Sequence, residues 1–219
     1  MSSTPEPRSS LLDVVPVLPV VVVDRLADAV PLARALVAGG LPAIELTLRT
    51  PVALDAIRAI AGEVPGILVG AGTVVTPGQA ELARDAGAQF LVSPGATPAL
   101  LSAMADTGLP FLPGTATVSE ILAVLEAGFT EMKFFPAEAS GGAAFLRAVG
   151  APVPAARFCP TGGITAGSAV SYLALPNVGC VGGSWLTPAD AVGRGDWALV
   201  ERLAREAAGV STAPAGAAS

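Results

Sequence analysis

One residue in this chain can act as an amine nucleophile from a side chain: Lys133, in Glu131-Met132-Lys133-Phe134-Phe135-Pro136. The sequence holds 12 Lys+Arg, and eleven of these are arginine. A lysine set in an apolar strand has its charged form disfavoured by desolvation, so a neutral amine becomes available. Such an amine attacks a carbonyl and forms a Schiff base, which a guanidinium cannot do. The opposing reading is that a composition rich in Ala, Gly, Val and Arg suppresses lysine and one has survived by accident. A second candidate is Glu45, in Ile44-Glu45-Leu46-Thr47-Leu48-Arg49. Strand alternation puts Ile44, Leu46 and Leu48 on one face and Glu45 and Thr47 on the other, with Arg49 able to follow them. A buried Glu facing a buried Lys is either a structural ion pair or an acid/base group beside a nucleophile.

Several chemistries are excluded by composition. The chain has no histidine, which removes Ser-His-Asp and Cys-His mechanisms and every His-containing metal site. Its two cysteines, Cys159 and Cys180, are too few for a disulfide framework or a four-thiolate zinc site and read as small buried thiols. A net charge of −6 without a basic block argues against a nucleic-acid partner. The apolar run at 14–23 is too short to span a bilayer, lacks a basic start and is interrupted by Pro16 and Pro19. It reads as a buried strand, with no membrane partner, and the protein as cytoplasmic.

These residues need a scaffold, and the chain supplies a repeating strand-then-helix alternation punctuated by Gly and Pro. Strands are expected at 14–20, 43–47, 67–71, 89–93, 110–112, 131–135, 156–160 and 178–182. Helices are expected at 24–38, 51–62, 77–86, 97–106, 117–127, 142–149, 166–174 and 196–208, with a short turn at 184–186. Asp24 reads as an N-cap, Pro51 as a first-turn residue, and Thr117 with Glu120 as a capping box. Residues 1–10 and 209–219 read as disordered segments, which leaves one catalytic domain at 11–208. Eight βα units predict an α/β fold of the (β/α)8 TIM-barrel type, with a doubly wound open sheet as the alternative. In that barrel the site lies at the C-terminal ends of the strands, and even-numbered strands two and six can bring Glu45 and Lys133 into one layer.

Two glycine doublets stand where such barrels bind phosphate: Thr161-Gly162-Gly163 after strand seven and Gly182-Gly183-Ser184 after strand eight. Open backbone N–H groups can approach an anion there, although many of the 25 glycines end helices. Gly70-Ala71-Gly72-Thr73 brings a hydroxyl to the same rim, and Arg49 either clamps a carboxylate or makes a rim salt bridge. Ser93-Pro94-Gly95 and Pro113-Gly114-Thr115 read as strand-end turns.

Five stretches together resemble the 2-keto-3-deoxy-6-phosphogluconate (KDPG) aldolases, a group that often also cleaves 4-hydroxy-2-oxoglutarate. They are Glu45-Leu46-Thr47-Leu48-Arg49-Thr50, Gly70-Ala71-Gly72-Thr73-Val74, Lys133-Phe134-Phe135-Pro136-Ala137-Glu138, Cys159-Pro160-Thr161-Gly162-Gly163-Ile164 and Gly182-Gly183-Ser184-Trp185-Leu186. The resemblance spans 14–208. It implies a class I aldolase of the Entner–Doudoroff pathway, free of cofactor and metal, homotrimeric, acting on a small 2-keto-3-deoxy sugar acid phosphate to release pyruvate. Matched by motif, Lys133 would form the Schiff base and Glu45 would be the general acid/base. Arg49 and Thr73 would hold the pyruvate carboxylate, Phe135 would wall the pocket, and Thr161 would contact the reacting hydroxyl. Gly162, Gly163, Gly183 and Ser184 would bind phosphate. Thr115-Ala116 and Ser140 depart from the family pattern in what read as loops. A sister group that acts on the galactonate epimer tends to lack a threonine at the Thr161 position, so Thr161 favours the gluconate. The other class left open is a non-catalytic phosphosugar-binding barrel, which would need the glycines but not Lys133.

Overall fold

The computed structural model describes residues 10–210. A one-turn 3-10 helix at Leu11–Asp13 leads into β1 (Val17–Val21), α1 (Leu26–Ala38), β2 (Ala43–Thr47), α2 (Ala53–Glu63), β3 (Leu68–Gly72) and α3 (Pro77–Asp85). The chain continues through β4 (Phe90–Val92), α4 (Pro98–Asp106), β5 (Phe111–Leu112), β6 (Gly114–Thr115), α5 (Val118–Glu126) and β7 (Glu131–Phe134). After a 3-10 turn at Glu138–Ser140 come α6 (Gly142–Gly150), β8 (Arg157–Pro160), α7 (Ala166–Leu173), β9 (Val181–Gly183), α8 (Ala189–Arg194) and α9 (Trp197–Ala208). Of the segments expected to be disordered at 1–10 and 209–219, residues 1–9 and 211–219 lie outside the described residues, whereas Ser10 caps the first turn and Gly209 ends α9.

All strand pairs are parallel, as right-handed βαβ crossovers require. They form a six-stranded sheet in the order β5-β4-β3-β2-β1-β9 and a three-stranded sheet in the order β6-β7-β8. The expected fifth strand at 110–112 is two short strands, because Pro113 has no N–H to give a ladder and the pairing changes sheets there. Hydrogen bonding nevertheless continues across that joint, since Lys133 N–H donates to Pro113 O at 2.9 Å. At the other joint, parallel bridges link Phe158 to Val178 and Thr161 to Gly182.

Alternation along the strands decides what faces inward. Phe134 stacks on Phe145 of α6, with centroids 5.0 Å apart and planes within 2°, and meets Phe158 edge-on. Phe134 therefore belongs to the strand–helix interface, and its neighbour Lys133 points to the opposite, inner face. Ile44 and Leu46 are completely buried on one face of β2, and Glu45 on the other is buried too. Parallel strands covered on both faces read as near-continuous apolar runs, which is why a charged residue in one is informative.

Several local expectations are corrected. Asp24 does not cap α1: the N-cap is Arg25, with no side-chain cap bond, and Arg25 instead forms a two-point pair with Asp28. Pro51 lies in the turn before α2, which begins at Ala53. Gly114 and Thr115 form a strand rather than a turn or loop, and Thr115 is buried with its hydroxyl donating to Lys133 O. The last strand is 181–183 instead of 178–182, and α8 was not expected at all. The Thr117–Glu120 capping box forms as expected.

The N-terminal ends of the strands are closed by the first turn. Leu12 is fully buried, and a Cβ on Gly179 would stand 2.6 Å from the Leu12 Cβ. Arg157 ties this turn down through Asp13 (2.6 Å), Glu131 (3.2 Å) and Ser10 (3.3 Å). The guanidinium hydrogen bond holds the Asp13 carboxyl below its ordinary range. Leu12→Ala is expected to lower the unfolding free energy by about 2–4 kcal/mol, seen as a lower urea midpoint at unchanged slope. An unchanged midpoint would show that the turn is not part of the core.

Candidate active site

At the C-terminal half of β7, Lys133 Nζ lies 3.0 Å from Glu45 Oε1 of β2, and the two side chains are only 5% and 1% exposed. Desolvating two charges carries a penalty of several kcal/mol per ion, so this contact is not a casual stabiliser. The Nζ is also 5.4 Å from the centre of the Phe135 ring, on whose face a cation is favoured. Glu45 Oε2 is buried with no hydrogen-bond partner among the described residues. An acceptor left bare in the interior is unfavourable by about 1–3 kcal/mol.

Room for the carboxylate comes from β3. A Cβ on Gly72 would stand 2.2 Å from Glu45 Oε1, so only glycine allows Glu45 to reach Lys133. Thr47, two residues on, fixes β2 to β1 by donating to Val21 O at 3.0 Å. Beyond the strand end, Leu48 N–H donates to Gly72 O, and Arg49 Nε donates to Thr73 Oγ1 at 3.2 Å. Thr73 has φ +59°, the one non-glycine with positive φ among the described residues. A β-branched residue in that region is strained by about 1–3 kcal/mol. The strain sets the Thr73 hydroxyl against Arg49.

Beside this group a cavity of about 230 Å³ opens at the strand ends. Its wall contains Arg49, Phe135, Thr161, Gly162, Gly163 and Ser184, with Gly182 also contributing. Larger clefts exist, one of about 550 Å³ around Asp13 and Arg157 at the opposite end, but it holds no amine or thiol nucleophile. Gly162 and Gly163 have φ +104° and +79°, a backbone region that favours glycine. Thr161 is buried, and its hydroxyl lies 3.8 Å from Cys159 Sγ. Cys159 and Cys180 are both free and buried. No group of three or more His, Cys, Asp or Glu residues that could hold a metal occurs among the described residues.

Residues 9–203 match the family model for KDPG and KHG aldolase. The chain belongs to that family. The KHG/KDPG aldolase of Escherichia coli (strain K12) is 54% identical over 198 residues, covering 90% of this chain and 93% of the relative. A KDPG aldolase from Legionella pneumophila, with pyruvate captured at low pH as a covalent carbinolamine intermediate, superposes with TM-score 0.88 at 46% identity. The match covers 90% of this chain and 96% of that one. The KDPG aldolase of Zymomonas mobilis ZM4 with 3-phosphoglycerate gives TM-score 0.87 at 46% identity, covering 91% and 94%.

Within this aldolase fold, Lys133 meets Glu45 and the Phe135 ring, and Arg49 meets Thr73; Arg49, Phe135 and Thr161 stand on the cavity wall, whereas Lys133, Glu45 and Thr73 lie behind it. Gly183 differs: it is buried, with the Trp185 ring 2.4 Å from where its Cβ would be, and Gly182 takes the place on the cavity wall. The decisive role of Gly72 was not foreseen. Its position on β3 beside the Glu45 strand, with Thr47 its register partner, emerges only in the folded sheet. Gly72→Ala is expected to destabilise the aldolase by about 1–3 kcal/mol through overpacking. Gly62→Ala, in α2 with nothing within 4 Å of the added methyl, is expected to stabilise it by about 0.4–1 kcal/mol. Urea unfolding of both checks this; equal midpoints would contradict the steric argument.

Proposed function

We propose that this protein is a class I aldolase cleaving 2-keto-3-deoxy-6-phosphogluconate to pyruvate and D-glyceraldehyde 3-phosphate, the Entner–Doudoroff reaction. It would also cleave 4-hydroxy-2-oxoglutarate to pyruvate and glyoxylate. The observation that carries this reading is the buried Lys133–Glu45 pair, the one lysine of the chain held against a carboxylate. Substrates named for the relatives support the choice of sugar acid, and Thr161 on the cavity wall supports the gluconate over its galactonate epimer.

The chemistry follows from the 3.0 Å contact. Glu45 takes a proton from the Lys133 ammonium, and the free amine attacks the C2 ketone to give a carbinolamine. Protonated Glu45 returns its proton to the departing hydroxyl, so water leaves and a protonated imine remains. The carboxylate then removes the C4 hydroxyl proton. The C3–C4 bond breaks, its electron pair passes into the imine as an enamine, and the aldehyde departs. Glu45 protonates C3, and water hydrolyses the imine to release pyruvate and Lys133. One carboxylate can serve each step because each leaves it ready for the next. Arg49 and Thr73 hold the carboxylate of the pyruvyl half, and Phe135 walls the imine. Gly162 and Gly163, with Gly182 in place of the expected Gly183 and with Ser184, cradle the phosphate.

Architecture and assembly complete the proposal. The split fifth strand and the bridges at Thr161 and Phe158 support one closed (β/α)8 TIM barrel over 11–208, the fifth of its eight strand positions shared by β5 and β6. The resemblance supports a homotrimer and a cytoplasmic enzyme; no described helix is long and apolar enough to cross a membrane.

Pyruvate release from KDPG, followed by a coupled lactate dehydrogenase assay, tests the reading. Lys133→Arg is expected to abolish cleavage while keeping the charge. Glu45→Gln is expected to lower kcat by about 10²–10⁴, the range for loss of a positioned acid/base. Retained cleavage by Lys133→Arg would sink the proposal.

A further inference from the structure

The turn that carries Gly162 and Gly163 is held from outside the cavity by a pair of side chains with no part in the chemistry. Glu138, in the turn after β7, accepts a hydrogen bond from the Tyr172 hydroxyl of α7 at 2.7 Å. Its own N–H donates to Gly162 O at 3.1 Å, and the preceding Ala137 N–H donates to Thr161 O at 2.8 Å. Its side-chain stem lies where a Cβ on Gly163 would be, 2.7 Å from Cγ and 2.8 Å from Cβ. Tyr172 is 1% exposed, so its ring cannot shift without disturbing the core. A Cβ on Gly142, at the start of α6, would stand 3.2 Å from the Tyr172 oxygen. The Lys133 strand runs into Glu138, and the Gly162–Gly163 turn runs into the helix that bears Tyr172. One hydrogen bond thus closes a loop between the nucleophile strand and the glycine turn.

We infer that Glu138 and Tyr172 are positioning residues that set the Gly162–Gly163 turn for an anionic group at the far end of the substrate. This deepens the aldolase reading and rests on it. Glu138 accepts and the phenol donates; burial, then the bond to Glu138, pushes the Tyr172 phenol up, so it stays a donor across the working pH range. A hydrogen bond to a charged acceptor is worth more than a neutral one, and the turn it fixes carries Gly162 and Gly163, the residues assigned to the phosphate rather than to the ketone at Lys133. Loss of the bond should therefore appear in the recognition of the anion and leave the chemistry at Lys133 alone.

The test compares KDPG with its dephosphorylated form, 2-keto-3-deoxygluconate, and uses inorganic phosphate as a competitive inhibitor. Tyr172→Phe keeps the ring and removes the donor. It is expected to raise KM for KDPG and the phosphate inhibition constant about tenfold, with kcat held within about twofold. KM for the dephosphorylated acid is expected to stay within about twofold. Glu138→Ala, at an exposed position, is expected to behave like Tyr172→Phe, and Glu138→Gln to recover because the amide oxygen still accepts. Equal changes for the two substrates, or no change for KDPG, would overturn the inference. Wild-type enzyme that does not prefer the phosphorylated acid would remove the anion cradle itself, a failure seen before any variant is made.

Discussion

The structure depends on keeping a lysine and a glutamate together in a place where neither would be stable alone. Lys133 and Glu45 come from strands separated by 88 residues of sequence and meet at 3.0 Å away from solvent. Removing either partner leaves an uncompensated buried charge, a loss of about 3–5 kcal/mol in comparable cases. The surrounding elements read as the means of holding this pair. β1 fastens β2 through the Thr47 hydroxyl, and β3 offers a glycine where a side chain would displace the carboxylate. β6 supplies Thr115 to the Lys133 carbonyl, and helix α6 covers the outer face through the Phe134–Phe145 stack.

A buried ion pair is poor evidence for stability, because well-packed apolar residues often do better. Its persistence here is explained by use. In the proposed reaction the carboxylate takes the proton of the ammonium 3.0 Å away, and only the free amine can attack a ketone. Oε2 of Glu45 stays buried without a hydrogen-bond partner among the described residues. The strained Thr73 and the left-handed Gly162–Gly163 turn lie at the same strand ends. Conformational cost is thus concentrated where a ligand would repay it.

Much of this was legible in the sequence because it was local or compositional. Lys133 stood out by being alone, and Glu45 by breaking an apolar run with period-two spacing; the alternation of strands and helices placed both on strands. The Thr117–Glu120 box was readable because its partners are three residues apart. What sequence concealed was non-local. Nothing near Gly72 says that a carboxylate from the next strand fills its missing side chain, and nothing near Glu138 says that Tyr172 reaches it from 34 residues away. Asp24 looked like a cap, but the neighbouring Arg25 formed its pair with Asp28 and the helix began later. Pro113 was visible, yet its effect, a break in pairing between two sheets, depended on which strands flank it.

The central claim is that Lys133 presents a reactive amine to a carbonyl in this pocket. Incubation with pyruvate and borohydride, followed by proteolysis and mass spectrometry, tests it directly, since the chain has a single lysine and the N-terminus as its only competing amine. The account predicts a reduced pyruvyl adduct on the peptide containing Lys133, absent without pyruvate. Recovery of that peptide unmodified from the folded wild-type protein would contradict it.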